Sequence, residues 1–136
     1  SDLTKAGLLI STCGHFLVGG SSTGNIHVWS IYEQGRYLRM VKAHYRAITA
    51  LTWSDCGLYL ITGGADGMIH AFSLMDLVQR GGTPKSTIHP LRTWSALHHL
   101  PITCILSTMG SRIISASEDG QIAMLELFSQ QVLFQL

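Results

Sequence analysis

Residues 54–74 read SDCGLYLITGGADGMIHAFSL, and the same pattern stands at 11–31 as STCGHFLVGGSSTGNIHVWSI and at 107–127 as STMGSRIISASEDGQIAMLEL. The first two align without a gap over 21 positions, with Gly14 and Gly57 in register. Gly24, Gly67 and Gly120 also correspond, 43 and then 53 residues apart. Repetition at such a period marks an array of similar units rather than one irregular core. Inside each unit the period is two: a short apolar run such as LYLITG, a turn built on STG, ADG or EDG, then an alternating run such as MIHAFSL. Gly and Asp supply the tight reversal. Working outward, RYLRMVKA at 36–43 and AITALTWS at 47–54 add the flanking strands. Four strands per unit are therefore predicted, at roughly 5–12, 16–21, 25–30 and 36–43, then 48–54, 59–64, 68–74 and 90–95, then 102–107, 112–117, 121–127 and 130–136. Helix is confined to a turn or two in SLMDLVQR, before Gly81-Gly82 stops it.

A four-stranded unit of about 43 residues cannot bury both of its faces alone and needs a neighbour on each side. Small sheets recurring near every 40 residues are the pattern of a β-propeller. The expected fold is all-β: a propeller segment of three four-stranded antiparallel blades, blade 1 at 1–43, blade 2 at 44–97 with an insertion at 75–90, and blade 3 at 98–136. Closed propellers have about 4–8 blades. The remaining blades are expected from further sequence or from another chain.

The composition agrees with a packed core, at 46% hydrophobic with three Trp, four Tyr and four Phe. Nine Lys/Arg against eight Asp/Glu give a formal +1, too weak a bias to indicate a nucleic-acid or membrane surface. Charged residues are only 12%, about half the usual share, so Ser, Thr, Gly or a covering partner must account for much of the surface. Cys13, Cys56 and Cys104 lie far apart without a CxxC pair, which points to neither a disulfide framework nor a zinc module. With no run of eighteen apolar residues and no leader pattern, the chain reads as soluble and intracellular.

The units resemble the WD-repeat family. Its pattern is Gly-His, Ile/Val-Thr, Ser/Thr-Gly-Ser-x-Asp-Gly and a later Trp-Asp. The middle unit carries Ala43-His44, Ile48-Thr49, Thr62-Gly63-Gly64, Asp66-Gly67 and Phe72-Ser73. The third carries His98, Ile102-Thr103, Ser115-Ala116-Ser117, Asp119-Gly120 and Leu125-Glu126, and the first keeps Gly19-Gly20-Ser21, Gly24 and Trp29-Ser30 but has Thr23 where Asp belongs. The resemblance implies a non-enzymatic scaffold for other protein subunits, with no cofactor, no metal and no small-molecule substrate. The run Trp94 to Thr103, together with the insertion, is similar to the WD-repeat subunit of the nuclear complex that processes and remodels the large ribosomal subunit precursor. That likeness implies a nuclear role, otherwise a cytoplasmic one, in ribosome biogenesis and rRNA processing. The alternative is a WD-repeat scaffold elsewhere, such as a ubiquitin-ligase adaptor or a trafficking coat.

His44, Thr62 and Asp66, echoed by His98, Ser115 and Asp119, have the residue types of a catalytic triad. A copy in successive blades argues for structure instead, since an enzyme needs one site, and no nucleophile elbow accompanies them. In a four-strand meander the loop entering a blade and the turn after its second strand share one side, so His44 can meet Asp66 there. The resemblance implies a hydrogen-bond network that the Trp position completes, here Trp29, Phe72 and Leu125. Scattered His15, His27, His70 and His89 and the adjacent His98-His99 do not converge on a metal. GGSSTG and TGGADG lack a following helix and are not phosphate loops.

For binding, Tyr45, Arg46, His99, Leu100 and Glu118 lie beside the network and are candidate partner contacts, Tyr45 and Arg46 first because aromatics and Arg anchor interfaces. Leu77 and Val78 in the insertion are a second candidate docking surface, or a lid on their own blade. Arg36, Arg39, Lys42 and Arg46 form a basic patch that is RNA-proximal at most, making indirect or weak rRNA contact. Strict alternation puts Tyr37 and Arg39 on one side of their strand.

Overall fold

A computed structural model describes residues 3–79 and 87–136. The strands are β1 (Leu3–Ile10), β2 (Phe16–Ser21), β3 (Asn25–Ser30), β4 (Arg36–Lys42), β5 (Ile48–Trp53), β6 (Tyr59–Gly64), β7 (Ile69–Ser73), β8 (Arg92–Trp94), β9 (Ile102–Thr108), β10 (Arg112–Ser117), β11 (Ile122–Glu126) and β12 (Val132–Gln135). A five-residue helix, α1 (Leu74–Val78), follows β7. The strands form three antiparallel meanders, β1–β4, β5–β8 and β9–β12, each in chain order. These are four-stranded sheets of the WD40 blade type, where the alternation placed them. Residues 80–86 of the insertion, with Gly81, Gly82 and Pro84, lie outside the described residues. No helix among the described residues is long and apolar enough to cross a membrane.

Strand alternation divides each sheet into two faces. In the second sheet Leu60 pairs with Phe72 and Thr62 with His70, while Ile61 pairs with Ala71 and Gly63 with Ile69. One face packs Leu60, Phe72 and Trp53 against Val18, Ile26, Val28 and Val41 of the first sheet. The other packs Ile61, Ile69, Ala71 and Trp94 against Ile105, Ile113, Ala123 and Leu125 of the third. Each of the Val, Leu, Ile and Phe side chains among them stabilises the stack by about 1.5–3 kcal/mol. The second sheet is therefore the one covered on both sides. The outer faces of the other two carry Ile10, Leu17, Trp29 and Tyr37 in one cross-strand row and Leu106, Ile114, Met124 and Phe134 in another.

Two devices join successive sheets. The β2–β3 turn presses Gly24 against the loop entering the second sheet: Ala43 and His44 N–H donate to its carbonyl at 3.0 and 2.9 Å. A Cβ at Gly24, where φ is +89°, would stand 2.1 Å from the His44 oxygen, so no other residue fits. Gly67 repeats the approach against His98. At the outer edge, Arg39 on β4 donates to the Asp76 carbonyl at 3.4 Å and to that of Gln79, where α1 ends. Arg92 on β8 likewise reaches the Leu127 and Phe128 carbonyls of the third sheet at 3.2 and 2.6 Å.

Two expectations need correction. Leu77 and Val78 are not a free docking surface: Leu77 is 0% exposed, and Val78 and Ile88 pack on the same core. The reason is helical spacing, because Leu74 and Leu77 share the inward face of α1 while Met75 points out. Tyr37 and Arg39 do not share a side either. The register shifts between Val28 and Trp29, so Tyr37 pairs with Trp29 and Arg39 with Val28, and the intervening Leu38 turns into the core.

The two outer apolar faces generate a prediction. These 136 residues expressed alone are expected to self-associate or to be insoluble. Light scattering showing a soluble, folded monomer would contradict it.

Candidate functional site

His44 stands in the β4–β5 loop, Thr62 on β6 and Asp66 in the β6–β7 turn, and the meander brings them together. His44 is 2% exposed. Its Nδ1–H points at both Asp66 carboxylate oxygens, at 3.0 and 3.1 Å, and its Nε2 lies 2.8 Å from the Thr62 hydroxyl. The carboxylate also accepts the backbone N–H of Tyr45 at 3.1 Å and of Met68 at 3.0 Å. Gly64 makes room for this bridge, since a Cβ there would stand 2.6 Å from both Asp66 Oδ1 and His44 Nδ1. The third sheet repeats it with weaker geometry. His98 Nδ1 is 3.2 Å from Asp119, His98 Nε2 is 2.9 Å from Ser115, and the N–H groups of His99 and Gln121 donate to Asp119 at 3.3 and 2.9 Å.

Burial pushes the Asp66 carboxyl up, but the hydrogen bonds from His44, Met68 and Tyr45 outweigh it and hold the group below its ordinary value. Asp119 is lowered by the same kinds of bond against the same desolvation. Thr62 and Ser115 are fully buried, so no substrate carbonyl can approach either hydroxyl. The arrangement holds a loop to a turn.

Trp29 does not join a bridge of this kind. It packs against His27 and edge-on to Tyr37, because Gly19 occupies the position that Thr62 holds one unit later. Phe72 and Leu125 are fully buried and contribute packing alone. The sequence reading missed His70, which is 6% exposed, 4.7 Å from the His44 ring by centroids and 2.9 Å from the Thr93 hydroxyl. Desolvation, reinforced by His44, lowers its pKa to about 4. The available signal was its period-two offset from Phe72, which puts both on one face. Among the described residues, no three of His, Cys, Asp and Glu converge on a metal position.

The bridge leaves its flanks outside. Tyr45 is 81% exposed and Leu100 47%, and Arg46, His99 and Glu118 are exposed as well. Lys42, Ala43, His44, Tyr45, Met68 and His70 line a crevice of about 150 Å³. The basic patch is partly committed elsewhere. Arg36 faces Glu33 at 3.7 Å, Arg39 holds the end of α1, and Lys42 donates to the Thr23 carbonyl at 3.3 Å. Arg46 has no ion pair among the described residues.

Residues 35–73 match the family model for the WD domain, G-beta repeat, a unit running from β4 through β7. No curated protein matches the sequence. The crystal structure of RRP9 WD40 repeats is similar over 100% of this chain and 39% of that one, at 18% identity and a TM-score of 0.81. The structure of U3-55K is similar over 100% and 40%, at 17% identity and a TM-score of 0.81. The Cps50 (Swd1) β-propeller domain of Myceliophteria thermophila is similar over 99% and 38%, at 18% identity and a TM-score of 0.76. The chain thus has the fold of WD40 propellers and spans about two fifths of the length of these structures.

Two predictions arise from the bridge. Asp66→Ala leaves His44 Nδ1 and the N–H groups of Tyr45 and Met68 without their acceptor, and is expected to lower stability by roughly 2–4 kcal/mol. Urea midpoints would show it, and a shift worth under about 0.5 kcal/mol would contradict it. The buried His70 stays neutral in the fold while the unfolded chain takes up a proton below pH 6.5. Stability is therefore complete above pH 6.5 and falls as pH drops towards 4, by up to about 3 kcal/mol. Asp66 adds a further loss below pH 3.8, as its depressed carboxyl is protonated. His70→Gln should flatten the first window and leave the second in melts run from pH 7 to below pH 3.8.

Proposed function

We propose that this chain, with its WD, G-beta repeat at 35–73 and the WD40 propeller fold along its length, is a non-enzymatic scaffold that holds other protein subunits. WD40 propellers are as a family non-catalytic protein-interaction scaffolds. One observation carries the reading here. The two His–Asp bridges satisfy their own polar atoms in the interior and turn Tyr45, Arg46, His99 and Leu100 out to solvent beside them. An exposed aromatic and Arg on a rigidly held loop suit an interface anchor. Such a loop loses little conformational freedom on binding.

The complex we assign it to is a nuclear one that assembles the large ribosomal subunit and processes its RNA. The run from Trp94 to Thr103 supports this, with its resemblance to the WD-repeat subunit of that complex. Contact with rRNA in such a setting would be indirect or weak. Affinity purification of the tagged full-length protein tests both levels. Pre-ribosomal proteins are expected with the wild type. The Tyr45→Ala, Arg46→Ala double variant is expected to lose them at an unchanged melting temperature. Recovery of ubiquitin-ligase subunits or coat proteins instead would assign the chain to the alternative complexes. Unchanged partners would remove these two residues from the interface.

A further inference from the structure

At the strand ends opposite Tyr45, the β1–β2 turn of the first sheet meets the β5–β6 turn of the second. The two turns are built alike. Gly14 N–H donates to the Ser11 carbonyl and Gly57 N–H to that of Ser54, both at 2.9 Å. Phe16 and Tyr59 N–H donate to the hydroxyls of the same serines, both at 3.1 Å. The Ser11 hydroxyl lies 3.3 Å from the Cys13 sulfur, and the Ser54 hydroxyl 3.3 Å from that of Cys56. Both cysteines are free and exposed.

Thr12 covers Gly57: a Cβ there would stand 2.1 Å from the Thr12 Oγ1 and 3.0 Å from its Cβ. Cys13 follows Thr12 and Cys56 precedes Gly57, so each cysteine Cα is one step of about 3.8 Å from a member of this contact. A disulfide spans Cα atoms roughly 4.4–6.8 Å apart. The third unit differs at both points. A Cβ on Gly110 would meet nothing within 4 Å, and Met109 stands where the cysteine would. Thiols thus occupy this turn position only in the two turns that touch. Bonds from the Ser11 hydroxyl and the His15 N–H hold the Cys13 thiol below its ordinary value, which raises its thiolate fraction.

We infer that Cys13 and Cys56 are a peroxide-responsive pair that closes to a disulfide between the first and second sheets. The Cys13 thiolate attacks one peroxide oxygen, the O–O bond breaks, and hydroxide leaves a sulfenic acid on Cys13. The Cys56 thiolate attacks that sulfur, the S–O bond breaks, and a second hydroxide leaves. The protons given up by the two thiols turn both hydroxides to water, and two electrons pass from sulfur to peroxide. A reducing compartment keeps the pair as dithiol, and thiol exchange reopens the bond.

The test treats reduced full-length protein with stoichiometric hydrogen peroxide at low protein concentration, then digests it without reductant. A linked pair of peptides joining Cys13 to Cys56 is expected, lighter by the two thiol hydrogens and separated by dithiothreitol. Cys56→Ser should leave Cys13 as a sulfenic acid that dimedone captures, whereas Cys13→Ser should leave Cys56 reduced. Cys104→Ser, in mid-β9 opposite Ala116, should not alter the link. Melting of each reduced variant confirms that it is folded. Overoxidation of both thiols without a link, a link formed only between molecules, or linkage of Cys13 to another cysteine in the wild type would overturn the inference. The wild-type peptide map decides it even if a variant fails to fold.

Discussion

A single buried carboxylate organises the middle of this structure. Asp66 receives the imidazole of His44 and two backbone N–H groups, and so welds the loop that enters the second sheet to the turn between its central strands. A meander of short strands has no internal reason to hold its loops at one angle. The bridge supplies that reason, and it does so from below, where water cannot compete. The Asp66 carboxylate and both His44 ring nitrogens are all taken up by this bridge. Beside it, Tyr45 and Arg46 stand exposed on the same loop.

Much of this was legible in the residues. The strand pairs around the Gly24, Gly67 and Gly120 turns and the meeting of His44 with Asp66 depend on interactions inside one repeat, and a repeat displays its own logic twice over. The features that escaped depend on how one sheet lies on the next. Arg39 reads as a free cation until α1 of the neighbouring sheet offers it two carbonyls. Leu77 reads as an unclaimed apolar residue until the helix turns it under β7. His70 reads as one of several scattered histidines until the loop from the previous sheet lowers His44 onto it. The bulge at Leu38 is of the same kind, since alternation along a strand cannot announce where a partner strand will slip by one residue.

The repeat is also unequal in its details, and the inequalities are informative. Thr62 and Ser115 serve the same purpose, but Gly19 in the first unit offers no hydroxyl, and the aromatic that follows takes up ring contacts instead. The carboxylate of the second unit meets its imidazole with both oxygens within 3.1 Å, that of the third with one at 3.2 Å. The second sheet, enclosed on both faces, is thus also the one with the tightest bridge.

The arginine grips at the outer edge have a consequence for how this chain can vary. Arg39 anchors the backbone at Asp76 and Gln79, and on the far side of the same connection Leu91 N–H closes on Ala71 at 2.7 Å. The two roots of the segment are held by the sheets themselves, whatever runs between them. Length added there costs only the slow logarithm of loop closure. The connection is therefore a natural graft point, where a lineage or a protein engineer can splice in a foreign module while leaving the neighbouring strands in register.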